Sequence, residues 1–257
     1  TNIIIPTICE HIEKAGVHSG DSMAITPPVN LTSEQKKQVV DYAEKVAQGM
    51  NFKGIFNIQF VMYEEVLYVL EVNPRASRTV PVTSKITSVD MIELATNTLL
   101  GSTLSNNVKL LPENDFYTTK ASVFSSTKLP GVDPILVPEM KSTGELIAVS
   151  DTVSGSMTKA FIWNESLHEA WQQEEKEILI AIEDEYAVAK LTEKFAQIGI
   201  AVKTFSDETP FQTIEEWMKT DAAFAVVSTE TSNAIRERAQ EFNLIVMSTV
   251  ETAFACA

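Results

Sequence analysis

Val69-Leu70-Glu71-Val72-Asn73-Pro74-Arg75-Ala76-Ser77-Arg78-Thr79 decides the reading of this chain. Side chains alternate along a strand, so Glu71 and Asn73 leave one face while Leu70 and Val72 take the other. The run from Val66 to Val72 follows another, from Ile55 to Val61, across the short connection Met62-Tyr63-Glu64-Glu65, which predicts a hairpin. On the partner strand Asn57 and Gln59 share a face, opposite Phe56, Ile58 and Phe60. Pairing then brings Gln59, Glu71 and Asn73 together as hard oxygen donors, which suit Mg²⁺ because that ion takes one or two carboxylates plus water and substrate phosphate. Arg75 and Arg78, three residues apart just beyond, suit an anionic substrate or a transferring phosphoryl group. The same spacing also fits an amphipathic hairpin with a solvated polar face and two surface arginines.

Upstream, Thr32 with Gln35 three residues on has capping-box spacing. It opens a helix to about Met50 whose apolar face is Val39, Val40, Ala43, Val46 and Ala47. Downstream, Asp90 and Glu93 start a second helix that Gly101 ends. From about Ser102 to Gly144 the pattern weakens among four prolines, and this stretch reads as a connecting extension with short strands. A new rhythm begins near Glu177. The continuous apolar run Ile178–Ile182 predicts a strand buried on both faces. A helix over Glu185–Gln197, strands at Ile200–Phe205 and Ala222–Val227, a helix over Thr231–Phe242 and a strand at Leu244–Met247 follow. This alternation predicts a small parallel α/β domain.

The chain has 257 residues, enough for two domains, with 20 Lys and Arg against 35 Asp and Glu, a formal charge of −15. That balance argues against nucleic acid or an anionic membrane as partner, since both need clustered cations. No apolar run reaches the roughly 18–20 residues of a membrane helix. Cys9 and Cys256 lie at opposite ends without metal-ligand or disulfide spacing, as in a cytoplasmic protein with two isolated thiols. The opening Thr1-Asn2-Ile3-Ile4-Ile5-Pro6 resembles neither a signal peptide nor a natural start, and is expected to reflect truncation.

Gln59 followed by Glu71-Val72-Asn73-Pro74-Arg75 resembles the ATP-grasp signature, in which a strand ending Glu-x-Asn-x-Arg supplies Mg²⁺ ligands to ATP. The longer string through Arg78-Thr79-Val80-Pro81 and Ser84-Lys85 resembles the second synthetase half of the carbamoyl-phosphate synthetase large subunits. Glu10 to Ser22 is similar to a block of that family lining the nucleotide pocket, and Pro130-Gly131-Val132-Asp133-Pro134 with Pro138 to Glu145 to the segment leading into its regulatory domain. The resemblance implies an α+β ATP-grasp C-terminal subdomain over residues 1–106, a connecting extension over 107–173, and an α/β methylglyoxal synthase-like regulatory domain with a parallel sheet over 174–257. It implies Mg²⁺ at Gln59, Glu71 and Asn73, with Mn²⁺ able to substitute. It implies carbamate and phosphoryl contacts from Arg75 and Arg78, and an ATP pocket lined by Gly16, Val17, His18 and Ser19 beside Gln59 and Glu71. The implied activity is phosphorylation of carbamate by ATP, in arginine or pyrimidine biosynthesis. The implied partners are the rest of the large subunit and a glutaminase small subunit, with bicarbonate and ammonia as substrates.

Departures from the family shape two further expectations. The chain has 9 glycines and no Gly-x-Gly-x-x-Gly loop, so this polypeptide alone is expected to make no carbamoyl phosphate. The family's regulatory domain binds nucleotides such as UMP through a glycine-bearing loop. Here that loop reads Lys203-Thr204-Phe205-Ser206-Asp207-Glu208, without glycine and with added acids, and Glu230 opposes an anion at the later turn Val227–Ser232. Effector binding is expected to be weak or absent. Glu13 and Asp21 match the acids of the family's ornithine site, but Ala121 stands after Lys120 where a further Glu is usual. Rival readings are another ATP-grasp ligase of the biotin carboxylase kind, and a non-catalytic effector-binding or assembly module.

Overall fold

In the computed structural model, residues 2–104, 109–124, 133–162, 169, 171–206, 208–229 and 232–257 are described. In chain order the elements are β1 (Glu10–His11), β2 (Ala24–Thr26), α1 (Ser33–Met50), β3 (Asn57–Tyr63), β4 (Val66–Asn73), α2 (Thr79–Thr87), α3 (Met91–Leu99), β5 (Tyr117–Val123), β6 (Gly144–Ser150) and α4 (Val153–Phe161). They continue with β7 (Glu177–Ala181), α5 (Glu185–Gln197), β8 (Ala201–Lys203), α6 (Phe211–Met218), β9 (Ala223–Ser228), α7 (Asn233–Glu241), β10 (Ile245–Met247) and α8 (Val250–Cys256). The chain divides into two compact units, one of Thr1–Glu10 with Ala24–Thr118, the other of His11–Met23 with Thr119–Ala257.

In the first unit, α1 begins where the capping box predicts. Thr32 Oγ1 accepts from Gln35 N at 3.2 Å, and Gln35 Oε1 accepts from Thr32 N at 2.9 Å. These bonds satisfy amides that the first helical turn leaves without partners. Val39, Ala43 and Ala47, spaced four apart, are its buried stripe. Asp90 caps α3 by accepting from Ile92 N and Glu93 N. Strands β3 and β4 form an antiparallel hairpin of their own. Its connection is the two-residue turn Glu64-Glu65, shorter than the four residues expected, with both φ angles positive at 46° and 63°. A two-residue turn of this twist requires positive φ at both positions, which acidic residues do not advertise. Helix α2 lies in a stretch rich in Val and Thr, where no helix is expected. It packs through Val80, Val82, Thr83 and Ile86, and Pro81 falls in the first turn where its missing N–H costs nothing.

The second unit contains a parallel sheet of order β8-β7-β9-β10 with helices between its strands, the α/β organisation expected from residue 177 onward. All six residues of β9 are buried, and Ile178, Leu179 and Ile180 of β7 are nearly as inaccessible. The sheet's two faces feed separate cores. One is built on Ile178, Leu191, Phe195, Phe224 and Val227, the other on Leu179, Ile214, Trp217 and Val226. That division is why β7 and β9 read as continuous apolar runs. Thr231, expected to begin α7, lies outside the described residues. The same unit holds β6, paired with β5, and α4, whose Met157 and Ala160 pack with Met23, Ala121 and Ala148. Among the described residues no helix is long and apolar enough to cross a membrane.

Candidate nucleotide and metal site

The hairpin places the predicted oxygen donors in register. Gln59 pairs directly with Glu71, and Asn57 with Asn73. Asn73 Nδ2 donates to Glu71 Oε1 at 2.9 Å, so Glu71 and Asn73 sit together on the same strand. The ladder is interrupted beside them: Phe60 pairs with Val69, which leaves Leu70 as an extra residue, a β-bulge. Leu70 is 55% exposed and does not take the buried apolar face that strict alternation predicts. Gln59 and Asn73 are half-buried and Glu71 is exposed. One carboxylate with two amide oxygens is a donor set for Mg²⁺ that shares its shell with substrate oxygens. It is too poor in His, Cys and acids to form a dedicated cage, and among the described residues no cluster of three such side chains is present.

Past β4 the backbone turns sharply, with Arg75 N donating to Asn73 O at 2.8 Å and Val80 N to Ser77 O at 3.1 Å. This turn carries Arg75, exposed, to within two residues of the metal-type donors, and sets Arg78 at the residue preceding α2. Arg75 donates to the carbonyl of Ala76 at 3.1 Å. Alongside lies an open cleft of about 600 Å³ whose lining includes Ala76, Ser77, Val80, Ser84, Lys85 and Asp90.

Gly16, Val17, His18 and Ser19 belong to the second unit, where they form a tight turn. Ala15 and Val17 make an isolated bridge around Gly16, whose φ of +119° suits only glycine. His18 Nδ1 accepts from Gly20 N at 3.0 Å, so the neutral ring carries its proton on Nε2. A Cβ at Gly20 would meet that nitrogen at 3.0 Å, so a larger residue there would require the ring to shift by a few tenths of an ångström. His18 N donates to Val137 O at 3.0 Å, and Lys120 Nζ to Ser19 O at 3.3 Å. Asp21, 2% exposed, accepts from Lys141 N at 2.7 Å, Ser142 N at 3.1 Å and the Ser142 hydroxyl. Sequence reasoning missed this clamp of residues 133–142 on the turn, because hydrogen bonds spanning 120 residues leave no local signature.

Residues 1–107 match the carbamoyl-phosphate synthase L chain, ATP binding domain. The chain is 41% identical over 98% of its length to the arginine-specific carbamoyl phosphate synthase large chain of Halalkalibacterium halodurans. It is 44% identical over 88% to the arginine-specific large chain of Geobacillus stearothermophilus. It spans 25% and 21% of those two relatives. Among solved structures, the biotin carboxylase domain of thermophilic 2-oxoglutarate carboxylase bound to bicarbonate overlaps 58% of the chain at 19% identity, with a TM-score of 0.44. Identity above 40% along nearly the whole chain, together with the domain match at residues 1–107, makes the chain similar to about a quarter of an arginine-specific carbamoyl phosphate synthase large chain.

Proposed function

We propose that this chain supplies the magnesium- and nucleotide-binding part of a site at which ATP phosphorylates carbamate, within a carbamoyl-phosphate synthase large chain. The observation that carries this reading is the register of the hairpin, which sets Gln59 against Glu71 and bonds Asn73 to Glu71 immediately before Arg75 and Arg78. Gln59, Glu71 and Asn73 would hold Mg²⁺, or Mn²⁺ in its place. Gly16, Val17, His18 and Ser19 would line the nucleotide. Bound Mg²⁺ there would supply positive charge against the phosphates.

In the reaction a carbamate oxygen attacks the γ-phosphorus, the bond from phosphorus to the β–γ bridging oxygen breaks, and ADP leaves with that electron pair. The nucleophile belongs to the substrate, so the protein's task is to position groups and stabilise charge. Arg75 and Arg78 would do this by holding carbamate and the charge that spreads over the equatorial oxygens. Residues 1–106 form the ATP-grasp C-terminal subdomain in this reading and 107–173 an extension. Residues 174–257 form a methylglyoxal synthase-like regulatory domain whose effector loop has degenerated. The partners would be the remainder of the large chain and a glutaminase small subunit delivering ammonia, with bicarbonate as the carbon source, in the cytoplasm. The arginine-specific relatives favour the arginine branch.

The test is titration of Mg²⁺-ATP into the complete large chain, wild type and Glu71→Gln, with the other synthetase half inactivated. Binding weakened at least about tenfold, roughly 1.4 kcal/mol, supports the assignment. Equal affinity in the two proteins removes Glu71 from the site, and no binding to either favours an assembly role.

A further inference from the structure

We propose that Arg236 is a positioning residue for the Gly16–Ser19 turn, acting through a strap formed by residues 133–142. The functional part of this inference rests on the reading of that turn as nucleotide-lining, but its structural part does not.

Arg236 lies in the first turn of α7, beyond the carboxyl end of β9, and its side chain is 1% exposed. A guanidinium taken so completely out of water holds its place only while each edge is bonded. Here each edge is: Nε donates to Asp133 Oδ1 at 2.8 Å, one terminal nitrogen to Asp133 Oδ2 at 2.7 Å, and the other to the carbonyl of Thr229. The fork fixes Asp133 in angle as well as distance. Residues 133–143 form neither helix nor strand, so side-chain bonds set their path.

Those bonds close the segment on itself. Asp133 Oδ1 also accepts from Ile135 N at 3.1 Å, and Lys141 Nζ donates to Asp133 O at 3.3 Å and Ile135 O at 3.0 Å. The far part of the strap then grips the turn. Val137 O accepts from His18 N, while Lys141 N, Ser142 N and the Ser142 hydroxyl all donate to buried Asp21. Arg236 therefore anchors one end of a bonded path whose other end sets the backbone of His18. A role confined to packing the sheet would not need the strap to be knotted at Lys141 or to reach His18.

Hydrogen exchange read by mass spectrometry on the whole chain tests this, comparing wild type with Asp133→Asn, Asp133→Glu and Arg236→Lys. Asp133→Asn is expected to speed exchange of His18–Ser22 and of Lys141–Ser142 about tenfold while β7 and β9 keep their protection, and Asp133→Glu to restore most of it. Should Asp133→Asn fail to fold, Arg236→Lys, which retains the charge and gives up the fork, is expected to give the same local pattern. Unchanged protection at His18–Ser22, or equal loss in β7 and β9, overturns the proposal. Mg²⁺-ATP affinity of His18→Ala in the complete large chain tests the nucleotide reading separately. Local exchange as expected with unaltered affinity there leaves the strap standing and removes the nucleotide.

Discussion

Gln59 and Glu71 are direct cross-strand partners, and the strand carrying Glu71 bulges at the residue before it. The bulge adds one residue between the turn-side ladder and the pair, which increases local twist and re-aims the side chains beside it. Deleting Leu70 would leave a regular ladder with the same pairs on either side and would change only that aim. In the complete large chain, deletion of Leu70 is expected to weaken Mn²⁺-ATP binding at least about tenfold, while Leu70→Ala stays within about twofold. Electron paramagnetic resonance of bound Mn²⁺ reads both. Equal binding in the deletion variant would show that the bulge is irrelevant to the site.

That Gln59, Glu71 and Asn73 would share a hairpin was legible from side-chain alternation, but their register was not: a four-residue connection would set Gln59 opposite Tyr68, and the two-residue turn with the bulge at Leu70 is what brings Glu71 opposite it. The strands of the parallel sheet were legible because β7 and β9 are buried on both faces. What escaped has physical reasons. The bulge at Leu70 violates the period that makes strands readable, and Glu64-Glu65 lacks the glycine or asparagine that marks such turns. Strand β5 buries Thr118, Thr119 and Lys120, polar residues that read as surface, and only the fold reveals the distant partners Ser156 of Thr119 and Ser19 of Lys120. Helix α2 forms from β-branched residues because tertiary packing of Val80, Val82 and Ile86 overrides weak local preference. The bidentate Asp133–Arg236 pair joins residues 103 apart, beyond the reach of any periodicity.

Arg75 and Arg78 separate by how they are held. Arg75 is exposed in the turn after β4, whereas Arg78 is half-buried at the start of α2. Lysine keeps the charge and loses the planar fork. In the complete large chain Arg75→Lys and Arg78→Lys are each expected to lower kcat for carbamate-dependent ADP formation by about 10²-fold, with the KM for ATP changed far less. Steady-state kinetics separates the two parameters. A rise in KM alone would assign the arginines to ground-state binding.

The capping box of α1 makes a prediction about stability alone. Thr32→Ala removes the acceptor for Gln35 N and is expected to cost about 1 kcal/mol. Gln35→Ala removes the reciprocal bond to Thr32 N, and the two losses should be less than additive because the box acts as a unit. Chemical denaturation of the two variants and the double variant reads this. Full additivity would mean that the two bonds form independently.

The loop after β8 bears on effector binding. Phe205 packs edge-on against Trp217, with centroids 6.3 Å apart, and so belongs to the core under α6. Lys203 sits over the Phe205 ring at 5.8 Å and 3.8 Å from Glu177. Glu208 is exposed beside them, and Asp207 lies outside the described residues. A loop with its aromatic turned into the core and its lysine already engaged is a poor phosphate cradle. Calorimetry with UMP is expected to show a Kd weaker than about 1 mM, that is, less than about 4.1 kcal/mol of binding free energy. Micromolar affinity would contradict this.

Glu13 provides the pH test. It is 5% exposed and accepts from Met23 N at 2.8 Å and from the Thr252 hydroxyl at 2.9 Å. Burial pushes its carboxyl above the usual carboxylate range, against the opposing pull of those hydrogen bonds and of the Lys120 charge. A carboxyl whose folded pKa exceeds its unfolded value stabilises the fold in its protonated form. That contribution is fully present below the ordinary carboxylate range and is lost as pH rises through the raised folded value. Glu13→Gln is expected to abolish this loss, because the amide stays neutral and Thr252 can turn its hydroxyl to accept from the new N–H. Stability of the wild type relative to Glu13→Gln should therefore decline between acidic and neutral pH, by about 1.4 kcal/mol for each unit of elevation, and level off above the folded pKa. Thermal midpoints of the two proteins measured across that range decide the matter. Parallel curves would mean that Glu13 is ionised in the fold at its ordinary pKa, its buried charge carried by Lys120 and the two hydrogen bonds.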